Sequence, residues 1–181
     1  MPCAAPPDPR AIVNEPVYRS RITDLLDGCG VAYRLLPHDG PVYTVEEAAR
    51  QRDVVMQEMV KSILLREPGG RYVMACVGGD RRVDHRAVRR SLGEGWRRLH
   101  FADAAEILAV TGCPQGAVTP IGLPDDVPVL FDQDIAACRK VNISSGDLTF
   151  GLELATADLV RLARARFAPI AERRPAPPGS A

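Results

Sequence analysis

The stretch Met56-Gln-Glu-Met-Val-Lys-Ser-Ile-Leu-Leu65 runs from a helical pattern into an apolar strand, and a single lysine, Lys61, stands at the junction. Of the 23 basic residues only Lys61 and Lys140 are lysines, so nearly all positive charge in this protein is arginine. A compact ammonium beside Val60 and Ile63 can point three donors into a small pocket, which a planar guanidinium does less well. The alternative is a lysine whose stem lies on the core while its head reaches water. Spacing alone leaves both interpretations open.

The residues around this junction predict a β-hairpin. Residues 61–65 and 71–77 are apolar runs typical of strands, and Pro68-Gly69-Gly70 between them is typical of a tight turn. Lys61 therefore begins a buried hairpin, which is a rigid mount for a functional side chain. Upstream, residues 54–60 are predicted to be helical, and Thr44 with Glu47 forms a capping-box pattern that starts another helix near residue 45.

The remaining pattern predicts one α+β domain. Asp84 is a candidate cap for a helix through about residue 92, Asp103 with Glu106 forms a second capping box, and Thr156 is predicted to cap a terminal helix. A further helix is predicted over residues 17–29, and strands over 31–36, 97–101, 127–131, 139–143 and finally 149–154. We therefore predict a single domain over residues 17–172, a mixed, mostly antiparallel β-sheet surrounded by helices. A disordered lead-in over 1–16 and a disordered tail over 173–181 complete the chain.

Composition excludes several classes of protein. The chain has 181 residues, 46% of them hydrophobic, with zero net charge, which is typical of one soluble globular domain. No apolar run approaches the roughly 18 residues of a membrane span, so no membrane association is predicted. The five scattered cysteines contain no C-x-x-C pair, which argues against a disulfide framework and a zinc site and predicts a reducing cytoplasm.

Any contact with nucleic acid must come from a local basic patch, because the whole molecule has no net charge. Seven arginines lie between Arg81 and Arg98. Four of them recur at three- and four-residue steps and are predicted to share one helical face: Arg82, Arg86, Arg89 and Arg90. This face is either a docking patch for nucleic-acid phosphates or a solvated surface in an arginine-rich protein. Both readings stay open.

Two loops carry small residues suited to close approach of a ligand. Residues 112–123 are rich in glycine and proline but match neither a Walker motif nor a dinucleotide fingerprint. Ser144-Ser145-Gly146 closes a predicted strand with small hydroxyl donors. His38, at a strand exit beside Asp39, is either a pocket residue or an ordinary turn residue.

Four segments in order resemble the YbaK/ProX family of free-standing aminoacyl-tRNA editing deacylases, related to the editing domain of bacterial prolyl-tRNA synthetase. The resemblance covers about residues 17–171 and rests on residues 60–65, Gly116-Ala-Val-Thr-Pro120-Ile-Gly122, residues 127–132 and residues 143–146. A chain of this length with no synthetase domains is expected to be a free-standing member. The implied partners are aminoacyl-tRNA and a synthetase acting in trans, and the expected state is a monomer.

The resemblance implies roles for particular residues. Lys61 corresponds to the essential lysine that holds the 3′-terminal adenosine, Gly116 to the glycine loop against the scissile ester, and Ser144 to the small residue opposite. These three are the predicted catalytic set. The predicted substrate-binding residues are His38, Thr44, Ser62, Val118, Thr119, Ser145 and Gly146.

The implied reaction is metal-independent hydrolysis of the ester in mischarged aminoacyl-tRNA, with no cofactor. The expected amino acid is small, namely Ala, Ser, Thr or Cys, and tRNA-Pro is the expected acceptor. Where the cysteine-specific branch carries an aspartate, this chain has Gly151, which disfavours cysteine. Candidates for the lining of the amino-acid pocket are Val45, Met59, Ile63 and Val118.

Two other functions are weighed against this reading. The same fold could hold tRNA or an aminoacyl nucleotide without cleaving it, as a binding module that acts with a synthetase. A thiol hydrolase would need Cys113 or Cys138 as the nucleophile, but neither has a histidine nearby in sequence. The sequence therefore favours placement of a water molecule over covalent catalysis.

Overall fold

The computed structural model describes residues 18–40, 42 and 44–172. The predicted lead-in over residues 1–16 and the predicted tail over 173–181 lie outside these residues. Within the described part, five helices and eight strands form one α+β domain, as predicted. No helix in that part is long and apolar enough to cross a membrane.

The described helices are five, each of eight residues: α1 Arg21–Gly28, α2 Val45–Arg52, α3 His85–Leu92, α4 Ala104–Thr111 and α5 Thr156–Ala163. Both predicted capping boxes are confirmed, because Thr44 with Glu47 and Asp103 with Glu106 exchange side-chain and backbone hydrogen bonds. Asp84 accepts hydrogen bonds from two backbone N–H groups in the first turn of α3 and is confirmed as its cap.

The strands form two sheets rather than one. They are β1 Tyr33–Pro37, β2 Val60–Arg66, β3 Tyr72–Gly78, β4 His100–Phe101, β5 Val129–Asp132, β6 Lys140–Ser144, β7 Phe150–Ala155 and β8 Arg166–Ala168. One sheet has the order β1-β7-β6 and is antiparallel; the other has the order β4-β2-β3-β5-β8. The β2–β3 hairpin is antiparallel as predicted, whereas β5 runs parallel to both β3 and β8.

The main core fills the space between the two sheets. Val60 and Phe131 from the five-stranded sheet meet Ile143 and Leu152 from the three-stranded sheet, and Leu26 of α1 joins the same cluster. The other face of the five-stranded sheet is covered by α3 through a separate apolar cluster. The β2–β3 hairpin is thus buried on both faces, which explains its nearly continuous apolar sequence.

Several local predictions are wrong. Residues 149–154 do not form the last strand, because β8 follows α5 and pairs with β5. Thr156 does not cap α5: it is the first helical residue, and its hydroxyl donates to the Cys138 carbonyl instead. The helix predicted over 54–60 shrinks to a 3₁₀ turn at Met56–Glu58, and the strand predicted over 97–101 shrinks to His100–Phe101. The first two differences arise where a tertiary contact, the β5–β8 pairing or the Thr156–Cys138 hydrogen bond, outweighs a local preference.

Candidate active site

A cavity of about 250 Å³ opens where α2, the start of β2, the 116–118 loop and the end of β6 converge. It brings together all three predicted catalytic residues, Lys61, Gly116 and Ser144, and three of the predicted substrate-binding residues, Thr44, Ser62 and Val118. Its other described lining residues are Val42, Val45, Ala48, Arg52, Met59, Val60 and Ile63. The cavity is therefore mostly apolar, with a few polar groups, as small-molecule sites usually are.

Lys61 lies on the rim of this cavity, on the second residue of β2. Its ammonium donates a hydrogen bond to the Arg81 carbonyl, and its two other N–H donors have no partner among the described residues. Burial lowers the pKa of Lys61, and the negative charges of Glu46 and Asp80 oppose that shift. Lys61 also lines a second, outer concavity, so its head group stands between the two.

The Gly116 loop approaches the cavity with its backbone. Gly116 has φ +94°, in the left-handed region that favours glycine. A Cβ at this position would lie 3.2 Å from Cδ2 of Leu148, so glycine is also needed for close packing. At Gly116 the loop therefore presents its main chain to the cavity that Lys61 also lines.

Ser144 ends β6 and faces Gly151 of β7 across the antiparallel pair. Its side chain is half-buried, and its hydroxyl has no hydrogen-bond partner among the described residues. A hydroxyl in this state can donate to a bound substrate without first breaking a protein contact.

Arg52 is a cavity residue that the sequence analysis missed. It is the last residue of α2 and is only 7% exposed. Its Nε donates to Nε2 of His38 at 3.0 Å and its Nη1 donates to the Ile143 carbonyl at 3.3 Å. The missed signal was its position seven residues after Val45 on the inward face of α2, where an apolar residue is expected.

His38 does not line the cavity but accepts a hydrogen bond from Arg52, which does. Its Nδ1 lies 3.0 Å from the Leu148 carbonyl and its Nε2 accepts from Arg52. Only the neutral tautomer with the proton on Nδ1 satisfies both contacts, because a carbonyl accepts and Nε–H of arginine donates. Burial lowers the pKa of His38, and the charge of Arg52 lowers it further.

This arrangement predicts a pH-dependent stability. A histidine whose pKa is lower in the folded state stabilises the protein above its unfolded pKa of about 6.5, and this stabilisation is lost as pH falls through the folded pKa. We expect His38→Gln to reduce the loss of unfolding free energy between pH 7.5 and pH 5.5, measured by urea denaturation. His100→Gln, at an exposed position on β4, is the matched control and should retain the wild-type pH dependence. An identical pH dependence in His38→Gln and wild type would contradict the lowered pKa of His38.

Four predicted substrate-binding residues do not line the cavity: His38, described above, and Thr119, Ser145 and Gly146. Thr119 and Ser145 are fully buried, and the Ser145 hydroxyl donates to the Phe150 carbonyl at 2.7 Å. Gly146 has φ +89° and serves the turn between β6 and β7. Cys113 and Cys138 also lie outside the described lining of the cavity, and burial raises the pKa of Cys138.

The four arginines of the predicted basic face separate into two groups. Arg82 precedes α3, so the prediction of one shared helical face is wrong for that residue, while Arg86, Arg89 and Arg90 lie on α3. Arg82 and Arg86 line the outer concavity, which shares Lys61 and Ile63 with the cavity. Arg89 and Arg90 are exposed on α3 outside this concavity. We call this concavity the outer groove; it encloses about 710 Å³. Its lining is Lys61, Ile63, Arg81, Arg82, Val83, Asp84, His85, Arg86, Phe101 and Glu172.

Comparison with known proteins bears on the chemistry of this cavity. Residues 39–162 match the family described as the aminoacyl-tRNA editing domain, a range that contains Lys61, Gly116 and Ser144. The chain belongs to the aminoacyl-tRNA editing domain family. The predicted resemblance to the YbaK/ProX editing proteins is thereby confirmed.

Individual relatives agree with this family. The chain is 28% identical over 145 residues to the prolyl-tRNA editing protein ProX of Acetoanaerobium sticklandii, covering 77% of this chain and 87% of that protein. It is 33% identical over 104 residues to proline–tRNA ligase of Trichlorobacter lovleyi, but spans only 18% of that enzyme's length.

Solved structures confirm the fold. A crystal structure of a hypothetical protein superposes with a TM-score of 0.76 at 27% identity, covering 84% of this chain and all of the other. A second, described as a candidate trans-editing enzyme for prolyl-tRNA synthetase, gives a TM-score of 0.75 at 23% identity and covers 84% of this chain. The two-sheet α+β domain is therefore the fold that these solved structures share.

Proposed function

We propose that this protein hydrolyses the ester of mischarged aminoacyl-tRNA that carries alanine, serine, threonine or cysteine, acting in trans to a synthetase. The observation that carries the proposal is the convergence of Lys61, the Gly116 backbone and Ser144 on one cavity within the editing-domain region. Its volume of about 250 Å³ suits a small aminoacyl group. The names of the relatives, an editing protein and ligases for proline, support tRNA-Pro as the acceptor.

The proposed reaction is a direct hydrolysis. The oxygen of a water molecule attacks the ester carbonyl carbon, the bond from that carbon to the ribose oxygen breaks, and the ribose oxygen takes the proton that water releases. The products are the free amino acid and tRNA. Because an aminoacyl ester is already activated and lies beside a ribose hydroxyl, catalysis can consist of positioning water and stabilising the oxyanion.

The cavity offers groups for both tasks. Backbone N–H groups of the Gly116 loop would donate to the developing oxyanion, and each well-placed donor contributes about 3 kcal/mol. The Ser144 hydroxyl, free of protein partners among the described residues, supports the same charge from the opposite side. The two remaining N–H donors of Lys61 would hold the terminal ribose or its phosphate at the rim.

Selectivity by size alone is limited in such a cavity. One methylene changes binding by only about 1–3 kcal/mol. An editing site of this kind therefore rejects large aminoacyl groups and relies on the synthetase for the first selection, which supports a synthetase as partner. The compartment stays the reducing cytoplasm predicted from the cysteines.

The outer groove is the proposed path of the single-stranded 3′ end of tRNA. It joins the cavity at Lys61 and carries Arg82 and Arg86 for phosphates. Phe101 is 63% exposed and lies with its ring centroid 4.6 Å from that of His85, so an aromatic face is available for a base. Basic residues interleaved with aromatic ones are typical of surfaces that bind single strands.

We expect charge reversal in the groove to weaken tRNA binding more than charge reversal elsewhere on α3. The plot of log K against log salt has a negative slope, and each lost phosphate contact on a single strand makes it shallower by about 0.7. Arg82→Glu with Arg86→Glu should therefore reduce the magnitude of the slope by roughly 1.4. The measurement is the salt dependence of tRNA affinity. Arg89→Glu with Arg90→Glu makes the same change of charge outside the groove and is the matched control.

Phe101→Ala separates stacking from charge in the same assay. Loss of one stacked base should weaken binding by about 1–3 kcal/mol while the salt slope stays at the wild-type value. Phe167→Ala, which removes another exposed aromatic ring on the distant strand β8, should bind like wild type.

Equal salt slopes for the two charge-reversed pairs, Arg82→Glu with Arg86→Glu and Arg89→Glu with Arg90→Glu, would contradict the proposed path.

The proposed function is tested by a deacylation panel. Purified protein is incubated with tRNA-Pro that carries Ala, Ser, Thr, Cys or Pro, and the surviving ester is measured over time. Release of at least one small amino acid, with prolyl-tRNA-Pro spared, is the expected result. An ester that persists, or is protected under excess protein, would instead identify a binding module without turnover.

A further inference from the structure

Arg52 is a buried cation in the cavity and has no counter-ion in the part of the chain that the structure describes. Among the described residues no carboxylate lies within ion-pair distance of its guanidinium, and burial alone lowers its pKa to about 10. The group therefore remains protonated at neutral pH. Burying a charge without a partner is costly, so its presence at a cavity wall favours a ligand that offers an oxygen acceptor to the guanidinium.

The guanidinium is held so that one end remains available. Nε and Nη1 are occupied by His38 and the Ile143 carbonyl, whereas Nη2 has no hydrogen-bond partner among the described residues. Because the guanidinium is planar and rigid, fixing two nitrogens also fixes the direction of the third. Arg52 is thus a preorganised donor in the lining of the cavity.

Gly151 provides the space in which Arg52 lies. A Cβ at Gly151 would stand closer than 3.0 Å to Cζ, Nε and Nη2 of Arg52, so any larger residue would displace the guanidinium. Gly151 pairs with Ser144 in the β6–β7 register, which places the guanidinium beside the proposed catalytic strand end.

The two cations occupy different depths of the cavity. Lys61 also lines the outer groove and therefore stands at the mouth, whereas Arg52 is 7% exposed and is absent from the groove lining. An aminoacyl ester held at the rim by Lys61 would direct its side chain inward toward Arg52. No described residue of the cavity lining is a carboxylate, so the electrostatics favour an oxygen acceptor there.

We propose that Arg52 is a specificity-determining residue that selects an aminoacyl group with a side-chain hydroxyl, serine above all, over an equally small hydrocarbon side chain. The inference rests on the proposed function and narrows its substrate class. A site built to hydrogen-bond a hydroxyl discriminates strongly, because a substrate without that hydroxyl leaves a buried polar group unpaired.

The test compares two esters of equal size. tRNA-Pro is charged with serine or with 2-aminobutyrate, which replaces the hydroxyl by a methyl group, and kcat/KM is measured for each. A hydrogen bond to a charged donor corresponds to a preference for serine of roughly 10- to 150-fold. We expect Arg52→Met to bring this ratio close to one, because the seryl ester loses more kcat/KM than the 2-aminobutyryl ester does.

Two further variants make the test specific. Gly151→Ala keeps the charge of Arg52 but displaces it, and should also reduce the serine preference. Arg50→Met, at an exposed position on the same helix, should keep it. If Arg52→Met does not fold, the proposal is still tested by the ratio of kcat/KM for the two esters in wild type and in Gly151→Ala.

Different failures have different meanings. Hydrolysis of both esters by wild type at similar rates overturns the role of Arg52 and leaves the proposed function intact. An equal loss of both activities in Arg52→Met also overturns it, because a positioning role or a role at the oxyanion affects every ester. If wild type hydrolyses neither these esters nor any other in the panel, the proposed function fails and this inference fails with it.

Discussion

Replacement of Lys61 by alanine should lower kcat/KM for the edited aminoacyl-tRNA by roughly 10- to 150-fold, the effect of losing a hydrogen bond from a charged donor. The side chain lines both the cavity and the outer groove, and two of its N–H donors have no partner among the described residues, so alanine would remove the proposed contact to the terminal ribose or phosphate. The measurement is steady-state deacylation of the best ester from the panel, with thermal unfolding to verify the fold.

Lys140→Ala is the matched control for this prediction. Lys140 is the other lysine of the chain, and its ammonium pairs with Glu153 at 2.8 Å on the surface of β6, outside the cavity. An exposed ion pair of this kind contributes about 0–1 kcal/mol to stability. Lys140→Ala should therefore deacylate at the wild-type rate.

Lys61→Arg distinguishes shape from charge. If the compact ammonium is what the site needs, the larger planar guanidinium should lose nearly as much activity as alanine. Full activity of Lys61→Arg would mean that a positive charge at this position is sufficient. Full activity of Lys61→Ala would mean that Lys61 is an ordinary surface lysine with no part in deacylation.

Replacement of Gly116 by alanine should also lower deacylation strongly. The backbone at φ +94° disfavours a Cβ by about 1–2 kcal/mol, and the added atom would also press on Leu148. The loop must shift, and losing one oxyanion donor lowers kcat by about 100- to 1,000-fold. We expect kcat to fall by that order, with KM changed much less, because the oxyanion exists only after attack.

Gly112→Ala separates catalysis from backbone strain. Gly112 also has positive φ, at +66°, in the same glycine- and proline-rich segment, but it ends α4 and lies outside the cavity lining. Both variants should lose a comparable amount of unfolding free energy in urea denaturation, while only Gly116→Ala should lose deacylation. Comparable activity losses in the two would assign the effect of Gly116 to stability.

The cavity explains why editing and binding can be separated in this fold. In the proposed function, Lys61 and the outer groove contact the nucleic acid, whereas Gly116, Ser144 and Arg52 contact the aminoacyl group. Variants on the first side should change affinity for tRNA, and variants on the second should change turnover or preference among esters. The two sets of measurements therefore test different parts of the proposal.

Local sequence signals were sufficient to predict several helix starts, one hairpin and the candidate site segments of this protein. The capping boxes at Thr44 and Asp103 involve groups only three residues apart, so the start of each helix follows from adjacent chemistry. The β2–β3 hairpin follows from two apolar runs around a Pro-Gly-Gly turn. The Lys61 junction, the Gly116 loop and the Ser144 turn were each identifiable as candidates, and the family resemblance predicted that they would meet.

Long-range packing decided the rest. The pairings of β1 with β7, of β5 with β3 and of β8 with β5 join residues more than thirty positions apart, which no local pattern encodes. Arg52 is the clearest case. Its place on the inward face of α2 suggests an apolar residue, and only the folded chain shows that His38, the Ile143 carbonyl and the bare Cα of Gly151 accommodate a guanidinium there. A side chain's chemistry is written in the sequence, but the partners that satisfy it are supplied by strands and loops distant along the chain.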